Sequence, residues 1–220
     1  MENLSIIGIT PFEKPDVNMA LAIQKAGAFP VLHLSYSEKD ALVALEKMAG
    51  LSENYFGVCF SENGLSKIPL PEKVSVVILP VNRKDLLYKN RSVLFQVTNL
   101  DEARNAVGKN PSGIIIKGNE ASGAVGEESA FILFQQIKKE IDLPLWVQGG
   151  IGLHTAAALF AVGAKGVVLD SQLALFPPCN IPSELREILK RADGTETNLM
   201  DNFRALVFTK SPHLPKDAKV

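Results

Sequence analysis

Cysteine is scarce: the 220-residue chain holds only Cys59 and Cys179, and two cysteines so placed make neither a disulfide framework nor a metal-ligand cluster. Both are expected to be free thiols. Histidine is equally thin, since His33, His154 and His213 are far apart and lack the i, i+4 spacing that puts two imidazoles on one helix face. No metal site is expected. The chain has no surplus of either charge: 23 basic against 24 acidic residues leave a net charge of −1, so there is no basic field to hold a phosphate backbone, and nucleic acid is excluded as an expected partner. No apolar run approaches the roughly 20 residues needed to span a bilayer. The opening MENLSIIGIT also lacks the basic region and long apolar stretch of a leader, so the expected setting is cytoplasmic, without a membrane partner. A GxGxxG turn is missing too, because the first candidate strand runs into Ile9-Thr10-Pro11-Phe12.

What the chain does have is regular alternation. Hydrophobic residues make up 46% and charged residues 21%, an ordinary globular composition that suits one domain with one substantial core. Short β-branched runs alternate with amphipathic stretches, as when strands are covered by helices. Strands are expected at Ser5–Ile9, Pro30–Leu34, Tyr55–Phe60, Val74–Leu79, Ser92–Val97, Gly113–Lys117, Leu145–Gln148 and Gly166–Leu169. Helical periodicity occupies Val17–Ala26, Lys39–Met48, Leu100–Val107, Glu127–Ile141, Thr155–Val162 and Pro182–Ala192. The connections near Ser61–Lys67 and Asn82–Lys89 are short and poorly periodic, so the helices there are expected to shrink to turns. Eight such units predict a (β/α)8 TIM barrel with some helices shortened. The alternative is a doubly wound open sheet, which usually has about five or six parallel strands. The barrel is assigned to residues 1–192. Residues 193–220 read as a tail or linker, within which Leu199–Phe208 is expected to form one packed helix and Ser211–Val220 to lead toward something else.

In a barrel of this kind the site is built from loops that follow the strands. After the sixth strand comes Lys117 to Gly126, after the seventh Gln148-Gly149-Gly150-Ile151-Gly152, and after the eighth Asp170-Ser171-Gln172. The Gly149-Gly150 pair lets backbone N–H groups approach an anion, and the seventh and eighth loops form the usual phosphate cup of such barrels. Equally, these glycines serve tight turns alone. Glu120 has two readings, as an acid or base, or as a partner of Lys117 or cap of the next helix. His154, at the start of a helix, reads as a capping or surface residue. Asp170 would repel a phosphate if aimed at it, so either its side chain turns away or the phosphate site is lost.

The stretch Val93–Ser171 resembles the nitronate monooxygenase (2-nitropropane dioxygenase) family in the order and spacing of four motifs. These are Gln96-Val97-Thr98-Asn99, Gly118-Asn119-Glu120-Ala121-Ser122-Gly123-Ala124-Val125-Gly126, Gly149-Gly150-Ile151 and Asp170-Ser171. Weaker similarity runs back through Asn18–Gly27, so the likeness spans most of the barrel. It implies FMN at the strand C-termini, with Gln96, Gly118, Gly123, Gly149, Gly150, Ile151, Asp170, Ser171 and Gln172 as the expected cofactor contacts. It also implies a histidine base that removes a proton beside a nitro group, and that position is Ala124, which has no proton-accepting atom. No catalytic residue is therefore assigned; Glu120 is the only candidate. Gln96 replaces the family's lysine, Asp170 its glycine, and Thr10 to Pro15 its methionine-glycine loop.

A closer resemblance is to nitronate monooxygenase-like segments at the N-terminus of bacterial polyketide and polyunsaturated fatty acid synthases, carried by Gly118–Ala121, Val125–Phe131, Trp146–Ala156 and Val167–Leu175. It implies neighbouring synthase domains as partners and an acyl substrate. Three functions follow as expectations: an FMN-dependent oxidoreductase-like domain of a synthase, a cofactor-free structural or docking domain, or a binder of another phosphorylated small molecule.

Overall fold

The computed structural model describes residues 5–34, 36–65, 68–83, 88, 90–192, 196–200 and 202–206. Eight parallel strands close into a barrel: β1 (Ile6–Ile9), β2 (Phe29–Leu34), β3 (Phe56–Phe60), β4 (Val74–Pro80), β5 (Ser92–Val97), β6 (Gly113–Lys117), β8 (Leu145–Gln148) and β9 (Gly166–Leu169). Closure is made where β1 pairs with β9, Ile7 opposite Val168. An open sheet is thereby ruled out. Each strand starts or ends within one residue of the bounds expected from its β-branched run.

Helices cover the outside: α1 (Val17–Lys25), α2 (Glu38–Leu51), α3 (Leu100–Val107), α4 (Ala130–Glu140), α5 (Leu153–Ala161) and α6 (Ser183–Arg191). Three begin on a side-chain cap, with Asp16, Ser37 and Asn99 accepting the N–H of Met19, Asp40 and Glu102. The β3–β4 connection has turns at Glu62 and Asn63 and no helix among its described residues. Most of Lys84–Lys89 lies outside the described residues. Arg83 substitutes for helical cover there, donating to Ser61 O and Leu65 O at 2.6 Å each and so tying one loop to the next.

Strand alternation splits the apolar residues into two layers. Ile114 and Ile116 face outward into the layer shared with the helices, together with Leu133, Phe134 and Ile137 of α4. Ile115 faces inward with Ile7, Ile9, Val31, Cys59, Leu94, Trp146 and Val168. The barrel axis is thus packed with side chains.

The expected helix over Leu199–Phe208 is not formed in its described part. Instead β10 (Thr197–Met200) and β11 (Phe203–Leu206) make an antiparallel hairpin, and β11 adds to β7 (Gly123–Ala124) inside the glycine loop. Asn202, in the tight connection at φ +63°, supplies the left-handed backbone that such hairpins need. The edge of the glycine loop supplies the partner: the N–H of Val125 donates to Asn202 O at 2.8 Å, and the Arg204 guanidinium donates to Asn119 O. Residues 207–220, including Ser211–Val220, lie outside the described residues.

Candidate site at the barrel mouth

The site follows from the strand period. Two residues beyond an inward-facing apolar residue the chain faces inward again, now at the C-terminal end of the barrel. Val31 leads to His33, Leu94 to Gln96, Ile115 to Lys117, Trp146 to Gln148 and Val168 to Asp170. The top layer of the interior is therefore a polar ring.

Its members are joined. Gln96 Nε2 donates to Gln148 Oε1 at 2.8 Å, and Gln148 Nε2 donates to Asp170 Oδ2 at 2.6 Å. Ser171 Oγ donates to Asp170 Oδ1 at 3.2 Å. Cys59 Sγ sits 3.9 Å from Gln96 Oε1 at the far end of this chain. Asp170 is 9% exposed, and both its carboxyl oxygens are occupied within the ring. Its side chain is thus turned into the barrel.

Burial governs the titrating groups of the ring. It pushes the Lys117 ammonium below the ordinary lysine value, against the opposing pull of Asp170, Cys59, Glu13 and Glu62. It lowers His33 likewise, although Glu13 and Asp170 act to raise it. It pushes the Cys59 thiol up to about 12, which leaves it a thiol rather than a nucleophilic thiolate. Glu13 reaches this neighbourhood from the loop after β1, where Phe12 and Glu13 both have positive φ, 59° and 51°. Thr10 braces that loop, donating to Lys14 O at 2.7 Å and accepting the His33 N–H at 2.8 Å.

The folded state resists protonating His33, whereas the unfolded chain takes up that proton as pH falls through the ordinary histidine value of 6.5. Stability is therefore expected to fall below that pH, by at most about 1.4 kcal/mol per pH unit from this residue. Urea midpoints measured at pH 7 and pH 5 should differ less in His33→Gln than in the unaltered protein.

The structure brings the expected contacts to one end of the barrel. Gly118 and Gly123 lie in the loop after β6, Gly149, Gly150 and Ile151 after β8, and Asp170, Ser171 and Gln172 after β9. Gln172 Nε2 donates to Ile151 O at 2.8 Å, linking the last two loops. Among the described residues the backbone N–H groups of Gly150, Ile151 and Gln172 have no hydrogen-bond acceptor, so this corner offers several free donors. Gly149, at φ +110°, packs against the glycine loop: a Cβ there would stand 3.1 Å from Ala121 N. Glu120 Oε2 accepts the Ala130 N–H at 2.9 Å, which makes it the cap of α4. His154 is exposed in the first turn of α5. Ala124 is exposed in β7, opposite Phe203. His33 and Cys59 were not expected in the site, and Lys117 and Gln148 were placed in its loops without being assigned a contact, although the inward period of β2, β3, β6 and β8 would have placed all four in the ring.

No protein-family model matches the chain, and no curated protein matches it in sequence. Solved structures do. FabK from Thermotoga maritima matches with a TM-score of 0.81 at 22% identity, over 93% of this chain and 71% of that one. Nitroalkane oxidase from Streptomyces ansochromogenes matches with a TM-score of 0.75 at 18% identity, over 91% and 76%. Thiamine phosphate pyrophosphorylase from Pyrococcus furiosus matches with a TM-score of 0.57 at 17% identity, over 86% and 96%. The likeness shows the fold, a (β/α)8 TIM barrel. No helix among the described residues is long and apolar enough to cross a membrane.

Proposed function

We propose that this chain is an FMN-binding, oxidoreductase-like barrel of the nitronate monooxygenase kind that serves as a domain of a polyketide or fatty acid synthase and works without the family's histidine base. The observation that carries the reading is the corner formed by Gly149 to Ile151 and Asp170 to Gln172, where unpaired N–H groups converge while the Asp170 carboxyl is turned away into the ring. The free donors support a phosphate at this corner, beside which the Glu120 side chain packs 3.6 Å from where a Cβ on Gly150 would stand. The fold it shares with nitroalkane oxidase supports the same reading.

When bound, FMN supplies a two-electron redox centre. Gly150, Ile151 and Gln172 would hold its phosphate, and Gln96 and Gln148 would present amide groups from below. Ala124 offers nothing that can take a proton, so a nitroalkane-type proton abstraction has no base at that position. Incubation with FMN followed by gel filtration should leave stoichiometric flavin absorbance on the protein. Gly150→Val, forcing a β-branched residue to φ +61°, should weaken uptake by at least about tenfold. A protein that stays colourless with excess FMN refutes the reading.

A second reading, a cofactor-free structural or docking domain, is favoured by one feature. Helix α5 is apolar yet turned outward: Leu153 is 84% exposed, and Phe160 and Val162 lie exposed near its far end. A failed FMN titration would leave this reading standing.

A further inference from the structure

Lys117 is the one cation in the inward ring, and the ring does not neutralise it. Among the described residues it makes no hydrogen bond and no ion pair, although Asp170, Glu13 and Glu62 are near enough to act on its charge. The lysine is partly exposed, and its Nζ lies 3.5 Å from the point where a Cβ on Gly123 would stand. Glycine at that position therefore leaves the amine flanked by a bare backbone at the mouth. A second group is also unmatched: His33 Nδ1 is buried without a hydrogen-bond partner, within electrostatic reach of Lys117. Unpartnered buried polar atoms are rare in folded proteins, and each calls for an explanation.

We propose that the barrel mouth is a carbonyl-binding site in which Lys117 Nζ forms an imine with a short aldehyde or ketone. The proposal goes beyond the flavin reading and does not depend on it. An amine whose ammonium is disfavoured by burial holds a larger neutral fraction near neutral pH, and the neutral lone pair is the nucleophile. That lone pair attacks the carbonyl carbon, and the π electrons move to oxygen. One proton passes from nitrogen to that oxygen, giving the carbinolamine. The hydroxyl then leaves with the second nitrogen proton as water, and the C=N bond forms: amine plus carbonyl compound gives imine plus water, with no oxidant or reductant. His33, whose buried Nδ1 is unpartnered and which lies within electrostatic reach of Lys117, is the group to which we assign the passing of these protons.

The test is reductive trapping. The full chain is exposed briefly, near neutral pH, to limiting acetaldehyde or acetone with sodium cyanoborohydride, and the modified lysines are located by peptide mass mapping. Lys117 should be alkylated at least about tenfold faster than the exposed Lys39 and Lys139, because burial disfavours its ammonium and enriches the nucleophilic neutral amine. His33→Gln should slow labelling of Lys117 and leave Lys39 and Lys139 unchanged. Lys117→Met should lose the adduct while unfolding at the same or a higher urea concentration, because a desolvated ammonium is removed. Labelling of Lys117 at or below the rate of the two exposed lysines overturns the proposal, and an unchanged rate in His33→Gln overturns the part assigned to that residue.

Discussion

Gly118→Ala should cost the protein at least about 3 kcal/mol, read as a drop in its urea midpoint. A Cβ at this position would stand 2.2 Å from Ala130 N, 2.4 Å from Ala130 Cα and 2.4 Å from Glu120 Oε2. Two of those atoms are backbone and cannot rotate aside, and moving the third, the Glu120 carboxylate, would release the N–H of Ala130. Nor can the glycine itself retreat. Its N–H donates to Gln148 O at 2.9 Å, and the next residue donates to Glu128 O at 2.9 Å. The clash is therefore passed into the α4 terminus or the β6–β8 ladder. Gly50→Ala is the matched control: it lies in α2 with nothing within 4 Å of an added Cβ, and it should gain about 0.5 to 1 kcal/mol from helix propensity. Equal effects at the two sites would show that Gly118 is not held as described.

Asp170→Ala is expected to remove about 2 to 4 kcal/mol. It strips the acceptor from Gln148 Nε2 and from Ser171 Oγ inside the barrel, and it deletes the largest favourable charge felt by Lys117. Asp170→Asn keeps one carbonyl acceptor for Gln148 and should lose less. Urea denaturation of the two variants beside the parent protein measures the difference, and an Ala variant as stable as the Asn variant would mean that the hydrogen bond to Gln148 contributes little.

The barrel strands were legible because each is a short β-branched run bounded by turn residues, a signal that buried parallel strands keep on both faces. That same doubling hid the ring. In an all-apolar run such as Ile114 to Ile116 the inward face cannot be told from the outward one, so Lys117 looked like the first residue of a loop rather than the top of the barrel. The hairpin was hidden for a different reason. Thr197–Met200 and Phe203–Leu206 hold no fully buried residue and show no two-residue apolar period, and their pairing depends on an edge contributed by a loop some 80 residues earlier in the chain. The glycines were recognised as special, but their purpose was not. Whether Gly118 and Gly149 make room for a ligand or for another loop depends on what stands opposite, which spacing does not encode; here it is Ala130 in one case and Ala121 in the other.

The hairpin also gives the molecule a handle. Tension on β11 would pass to Gly123 and Ala124, and the Lys117 amine lies 3.5 Å from where a Cβ on Gly123 would stand. Strand β11 thus ties the C-terminal hairpin to the short loop strand that flanks the amine.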